Sequence, residues 1–160
     1  MTVTAYVGLG ANLGDAAGAL DAAVAALAAL PRTRLVACSP RYRTAPVDAT
    51  GPDYLNAVAA LDTDLSAEAL LAAVALFDLV QRRERPYRNA PRTLDLDLLL
   101  HGDTRIDSPH LAVPHPRLHE RAFVLAPLAD LAPDLVVPGR GRVRDLLEGV
   151  ADQRIERSLP

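Results

Sequence analysis

Asp95 and Asp97 are the residues of this sequence whose type and spacing best suit chemistry. They stand in the run Pro91-Arg92-Thr93-Leu94-Asp95-Leu96-Asp97-Leu98-Leu99-Leu100, which reads as a strand over residues 93–100. Alternate side chains of a strand share a face, so Leu94, Leu96 and Leu98 point into a core while the two aspartates point together to the other side. Carboxylates so placed lie about 6–7 Å apart, and at an effective dielectric near 20 they repel by roughly 2–3 kcal/mol. A hard divalent cation removes that repulsion. Magnesium prefers oxygen ligands and often uses one or two carboxylates, with phosphate and water completing its shell. The plainer reading of a D-x-D strand is a solvent-facing edge with alternating charge. The neighbourhood shifts the balance towards a metal–phosphate site: Arg82, Arg83, Arg85, Arg88 and Arg92 crowd the segment just before the pair. Guanidinium groups grip phosphate in bidentate fashion and stay charged at all useful pH values, so loop and pair together suit a triphosphate. A solvated basic loop or an RNA patch is the alternative. RNA patches interleave stacking aromatics, and Tyr87 alone is thin support for one.

Three further constellations could take part. Val113-Pro114-His115-Pro116-Arg117-Leu118-His119-Glu120-Arg121 brings two histidines and two arginines close together. His115 could ligate metal, act as a general acid or contact phosphate, although a histidine beside proline is more often a turn residue. His115 and His119 at i, i+4 could form a zinc pair on a helix, but Pro116 sits at the helix start and no third ligand is evident. The glycine-rich stretch over residues 8–14 is neither a Walker loop nor G-x-G-x-x-G, since Leu13 holds the third glycine position; it reads as tight-turn chemistry at a strand–helix junction. Tyr54 and Asn56 share a face under strand alternation. An aromatic platform beside an amide suits a flat heterocycle, though both residue types are common at strand edges.

The scaffold that must position these residues is legible in outline. Residues 2–7 read as a first strand, and Asp15 as the cap of a helix with Leu20, Ala23, Val24 and Leu27 on its buried face, ended by Pro31. Residues 34–39 and 54–61 read as the next two strands. Residues 42–53 between them, rich in Pro, Gly, Asp and Thr, read as an ordered but mobile loop. Ser66 caps a second helix with Leu70, Val74 and Phe77 on one face. Pro86 and Pro91 argue against regular structure over residues 81–92. A turn at Gly102-Asp103, a short helix through residues 119–128 and a small helix over residues 143–148 complete the chain. The order strand, helix, strand, strand, helix, strand predicts an α+β sandwich with an antiparallel or mixed sheet, and the fold expected is a ferredoxin-like sandwich with a central, mainly antiparallel sheet flanked by helices. A doubly wound parallel sheet fits less well, because two strands follow one another with no helix between.

The composition narrows the class. The 160 residues suit a single domain over 1–160, and half are hydrophobic with only 4% aromatic, so the core is one of alanine and leucine. A net charge of −3 is not the balance of a nucleic-acid binder. The one cysteine, Cys38, cannot form an intrachain disulfide, which with the absence of metal-type spacing points to a reducing, cytoplasmic location. No apolar run reaches 18 residues and no charged leader precedes one, so neither a membrane span nor a signal peptide is expected.

Taken together, the motifs resemble the 6-hydroxymethyl-7,8-dihydropterin pyrophosphokinase (HPPK) family of folate biosynthesis. The resemblance runs over residues 6–137. It is carried in order by Gly10-Ala11-Asn12-Leu13-Gly14-Asp15, Tyr42-Arg43-Thr44, Tyr54-Leu55-Asn56, Arg83-Glu84-Arg85, Pro91-Arg92-Thr93-Leu94-Asp95-Leu96-Asp97, Val113-Pro114-His115, Arg121 and Phe123. It implies an enzyme that transfers the diphosphate of ATP, its co-substrate, to the hydroxymethyl group of the pterin and releases AMP. It further implies two Mg2+ ions on Asp95 and Asp97, with Arg83 and Arg92 joining them as catalytic residues. Arg85, Arg92, Leu98, His115 and Arg121 would bind ATP, and Thr44, Val47, Tyr54, Asn56 and Phe123 the pterin. Small-molecule substrates, no nucleic acid, no membrane and a monomer are the expected partner pattern. Residues 42–53 and 81–90 would close over the substrates, with ATP binding first. Departures from the family pattern fall in that lid: Asn89-Ala90 stand where Trp-Gly is common, Arg82 where a glycine is common, and the segment after Arg85 is about one residue shorter than in some members. Ala11 and Ala112 replace a frequent Ser and Thr.

Overall fold

The computed structural model describes residues 2–12, 15–45, 53–83 and 94–158, with the backbone alone at 81–83. The chain runs β1 (Val3–Ala11), α1 (Ala16–Ala28), β2 (Thr33–Cys38), β3 (Tyr42–Thr44), β4 (Tyr54–Thr63), α2 (Ala67–Arg83) and β5 (Leu94–His101). A small hairpin, β6 (Ile106–Asp107) and β7 (Ala112–Val113), and a 3-10 turn, Leu118–Glu120, lead to α3 (Ala122–Leu131). A second hairpin, β8 (Val136–Val137) and β9 (Gly141–Arg142), then α4 (Val143–Glu148) and β10 (Ile155–Arg157) follow.

With β3 set aside, β1-α1-β2-β4-α2-β5 is the βαββαβ order, and the main strands lie β5-β1-β4-β2, every pair antiparallel. That is the ferredoxin-like arrangement expected from the sequence. β2 and β3 follow one another along the same edge of β4. At the break between them Ser39 takes over the ladder: its amide donates to the Val58 carbonyl at 2.9 Å and its Oγ accepts from the Val58 amide at 3.0 Å. β10 then pairs outside β3.

The two faces of the sheet carry different helices. Leu20 and Leu27 of α1 and Leu70 and Val74 of α2 pack against Val7, Leu9, Leu61, Leu94 and Leu98 on one side. Leu125 and Leu128 of α3 and Val143 of α4 pack against Tyr6, Val58 and Leu99 on the other. Each fully buried leucine contributes about 1.5–3 kcal/mol of transfer free energy. The helix starts follow the residues read as caps: Asp15 Oδ1 accepts from the Gly18 amide at 2.9 Å, and Ser66 Oγ from the Ala69 amide at 3.1 Å.

The structure corrects four local expectations. β1 runs to Ala11, so Gly8 to Ala11 are strand and not turn; pairing along both edges, with β4 and β5, outweighs the low strand propensity of glycine. Residues 42–44, read as loop, form β3 because β4 and β10 hold them from both sides, while 46–52 lie outside the described residues. α2 extends to Arg83, carrying helix into the start of the arginine segment. The helix read over 119–128 is split at Arg121, which is extended (φ −123°, ψ 110°) between the 3-10 turn and α3. Gln153 holds that break: its Nε2 donates to the Glu120 carbonyl at 2.7 Å and its Oε1 accepts from the Ala122 amide at 2.9 Å.

Candidate active site

The face of the sheet under α3 changes character along its strands. On β4 the same side passes from Val58 to Asn56, on β5 from Leu99 to Asp97 and Asp95, and on β1 from Tyr6 to Gly8 and Gly10. Beyond the end of α3 this face is uncovered, and a cleft of about 490 Å3 opens there. Its floor is β1, where Gly8 pairs with Asp97 and Gly10 with both Asn56 and Asp95. Neither glycine puts a side chain into the cleft. The residues read as turn glycines therefore form a bare track between an amide on one strand and two carboxylates on the other.

One end of the cleft is buried and neutral. Asn56 and Thr44 are each 7% exposed, and Asn56 Nδ2 donates to Thr44 Oγ1 at 2.8 Å. Tyr54, beside them on β4, and Phe123, on the first turn of α3, line the same space. The Arg121 guanidinium sits over the Phe123 ring, 5.4 Å from its centroid. β3, which carries Thr44, is tied down from behind. The Tyr42 hydroxyl donates to Asp130 of α3, while Arg157 of β10 donates to Tyr42 Oη at 3.0 Å and to Asp130 Oδ1 at 2.8 Å. Burial first, and then the bond to Asp130, push the Tyr42 phenol above its ordinary pKa of 10.0, so it remains a donor. Sequence reading found neither this cluster nor the glycine floor.

The other end is charged and open. Asp97 is exposed and Asp95 half-buried, both on the cleft side of β5, while Leu94 and Leu98 lie in the core and Leu96 packs partly against it, as strand alternation predicts. Arg121 faces the same space from the start of α3. His115 is held by its backbone, whose amide donates to the Leu99 carbonyl at 2.8 Å, and its Nδ1 accepts from the Arg117 amide at 3.2 Å. That bond leaves the proton on Nε2 of the neutral ring. Burial pushes the His115 pKa below 6.5; Asp97 pulls it back up, and Arg121 and Arg117 lower it again. His115 and His119 do not share a helical face, because Pro116 and the 3-10 turn intervene, so the zinc-pair alternative falls.

The family model for 7,8-dihydro-6-hydroxymethylpterin-pyrophosphokinase (HPPK) matches residues 6–133. The chain belongs to this family. Among HPPK relatives, the 2-amino-4-hydroxy-6-hydroxymethyldihydropteridine pyrophosphokinase of Pseudomonas aeruginosa is 48% identical over 153 residues, covering 95% of this chain and 94% of that one. The protein of the same name from Haemophilus influenzae is 39% identical over 159 residues, covering 99% of each. Among solved structures, the wild-type Plasmodium falciparum HPPK-DHPS with pterin and p-hydroxybenzoate has a TM-score of 0.73 at 12% identity. This likeness, which concerns the fold, covers 98% of this chain and 45% of that chain.

Set against the HPPK expectations, the cleft gathers Thr44, Tyr54, Asn56, Asp95, Asp97, Arg121 and Phe123. His115 stands near enough to feel the charges of Asp97 and Arg121. The side chain of Leu98, assigned to nucleotide binding by resemblance, is 4% exposed and packed in the core with Leu70 and Val74, away from the cleft. Val47, Arg85 and Arg92 lie outside the described residues, and Arg83 is described by its backbone alone. Among the described residues no three His, Cys, Asp or Glu side chains form a ready-made metal cage. Two carboxylates on one strand face, open to the cleft, fit magnesium, which completes its shell with phosphate and water.

Proposed function

We propose that the cleft binds Mg-ATP and 6-hydroxymethyl-7,8-dihydropterin and transfers the terminal diphosphate of ATP to the pterin hydroxymethyl group, releasing AMP, as a step in folate biosynthesis. The observation that carries this reading is the polar gradient along one sheet face. A buried amide–hydroxyl pair lies at one end, a carboxylate pair at the other, and β1 runs between them with only glycines, Gly8 and Gly10, at the positions facing the cleft.

Asn56 has both a donor and an acceptor to offer the edge of the pterin ring, and Thr44 keeps its amide in place. Tyr54 and Phe123 bracket the ring and exclude water. The pterin arm then lies along Gly10 and Gly8 towards the aspartates, and its hydroxyl attacks the β-phosphorus while AMP departs in line. Arg121 and the Nε2 proton of His115 meet phosphate oxygens. Arg83, Arg85 and Arg92 do so from the segment before β5, while Val47 and Leu98 contact substrate through backbone groups. Asp95 and Asp97 would hold two magnesium ions, which when bound supply charge neutralisation on the phosphates and orientation of the attacking hydroxyl. We infer further that the chain acts as a single domain over 1–160 and as a cytoplasmic monomer, as the family resemblance of its motifs implies.

The test is an assay with Mg-ATP and the reduced hydroxymethyl pterin. AMP is the expected nucleotide product from the wild type, and Asp97→Ala is expected to lower its release by roughly 10^3-fold or more. ADP or pyrophosphate in its place would assign the carboxylate pair to another phosphotransferase chemistry.

A further inference from the structure

We propose that Gly10 is a positioning residue for the pterin, because its missing side chain lets the Asn56 amide lie across the central strand in the orientation that reads the ring. The inference rests on the diphosphokinase reading above. Gly10 lies in the middle of β1, and its φ is outside the left-handed region, so its backbone conformation does not call for glycine. Glycine weakens a strand interior. Space is the remaining reason for it, and of the protein's own groups it is the Asn56 amide that occupies that space.

A Cβ at position 10 would stand 2.9 Å from Asn56 Oδ1, a separation real Cβ atoms essentially never show. The next atoms, Tyr54 Cδ1 at 3.9 Å and the Leu55 carbonyl at 4.0 Å, are in ordinary contact. Gly8, two residues back on the same face, is different: the nearest atoms to a Cβ there belong to the Leu99 side chain, at 3.4 Å, an ordinary contact. The obstruction at position 10 is therefore specific to the amide oxygen. That oxygen has no easy retreat, since Asn56 Nδ2 is engaged by Thr44 and both residues are buried. A methyl group at position 10 would turn the amide and strain or break its bond to Thr44. The fold tolerates such a shift at the far end of one side chain. Recognition does not, because the donor and acceptor must both meet the ring edge.

The test is steady-state kinetics and thermal melting of Gly10→Ala, Asn56→Ala and the double variant. Gly10→Ala is expected to raise the KM for the pterin about tenfold, the effect of one lost hydrogen bond, to leave the KM for ATP at its wild-type value and to lower the melting temperature by no more than about 2–4 °C. In the Asn56→Ala background the same change is expected to add little, because both act through one amide. Thr44→Val, which releases the amide from its other side, is expected to raise the pterin KM in the same sense. An unchanged pterin KM in Gly10→Ala or in Thr44→Val, or effects that add in full in the double variant, would overturn the proposal. So would a melting temperature lower by about 10 °C, or failure of Gly10→Ala to fold, since the glycine would then serve sheet packing. If the wild type releases no AMP with this pterin, the diphosphokinase reading fails and takes the proposal with it. If the wild type is active, the variants judge Gly10 alone.

Discussion

At one end of the cleft Asn56 and Thr44 are buried and hydrogen-bonded to each other; at the other Asp97 is exposed to water and Asp95 half-exposed. The contrast follows from the cost of desolvation. Neutral polar groups can be buried before a ligand arrives if they satisfy one another, and their alignment is then fixed in advance. Two like-charged carboxylates buried without a cation would cost several kcal/mol, and the pair accordingly stands at the open end of the cleft. One end selects by shape and hydrogen-bond direction, the other by charge. Substitutions at the two ends should therefore leave different signatures.

The largest effect is expected from Asp97→Ala. AMP release should fall by roughly 10^3-fold or more while the melting temperature stays put, since an exposed carboxylate does little for the fold. A marked loss of thermal stability would erase the contrast. Asn56→Ala should show the reverse pattern: a pterin KM raised about 10- to 100-fold, an ATP KM unchanged, and about 1 kcal/mol of stability lost as Thr44 loses its partner. A rise in both KM values would mean that the two ends are not separable.

Tyr42→Phe should have the smallest effect. It removes the hydroxyl that joins Asp130 to Arg157 behind β3, at a cost of about 1 kcal/mol or roughly 2–4 °C in melting temperature. Its pterin KM should rise only two- to threefold, measured beside an unchanged ATP KM, because Thr44 lies two residues along the same strand. The pH dependence has a definite sign. Burial and Asp130 hold the folded phenol above its unfolded pKa near 10.0, so its contribution is complete below about pH 10 and is lost as pH rises through the folded value. Chemical denaturation at increasing pH should show the gap between wild type and Tyr42→Phe narrowing above pH 10; a gap that widens would contradict this account.

What could be read from the sequence was whatever obeys a local rule. Leu94 and Leu98 against Asp95 and Asp97, and Leu20 with Leu27, follow from the periods of strand and helix, and Asp15 and Ser66 from cap chemistry. The rest depends on partners far away in the chain. Gly8 and Gly10 look like turn residues until β4 and β5 flank them. Tyr42 finds Asp130 88 residues on and Arg157 115 residues on. The chain breaks before α3 where Gln153, 31 residues beyond Ala122, takes up the freed backbone groups. No local pattern announces any of these contacts.

The glycine floor has a consequence for how the site keeps its shape. β1 has no side chain of its own on the cleft side at Gly8 or Gly10, so its position there is set chiefly by its backbone pairing to the strands on either side. The floor should therefore move only when the sheet itself opens. Amide hydrogens of Gly8 and Gly10 that take part in the ladder should exchange with solvent deuterium about as slowly as those in the middle of the protein, although the cleft above them is open to water.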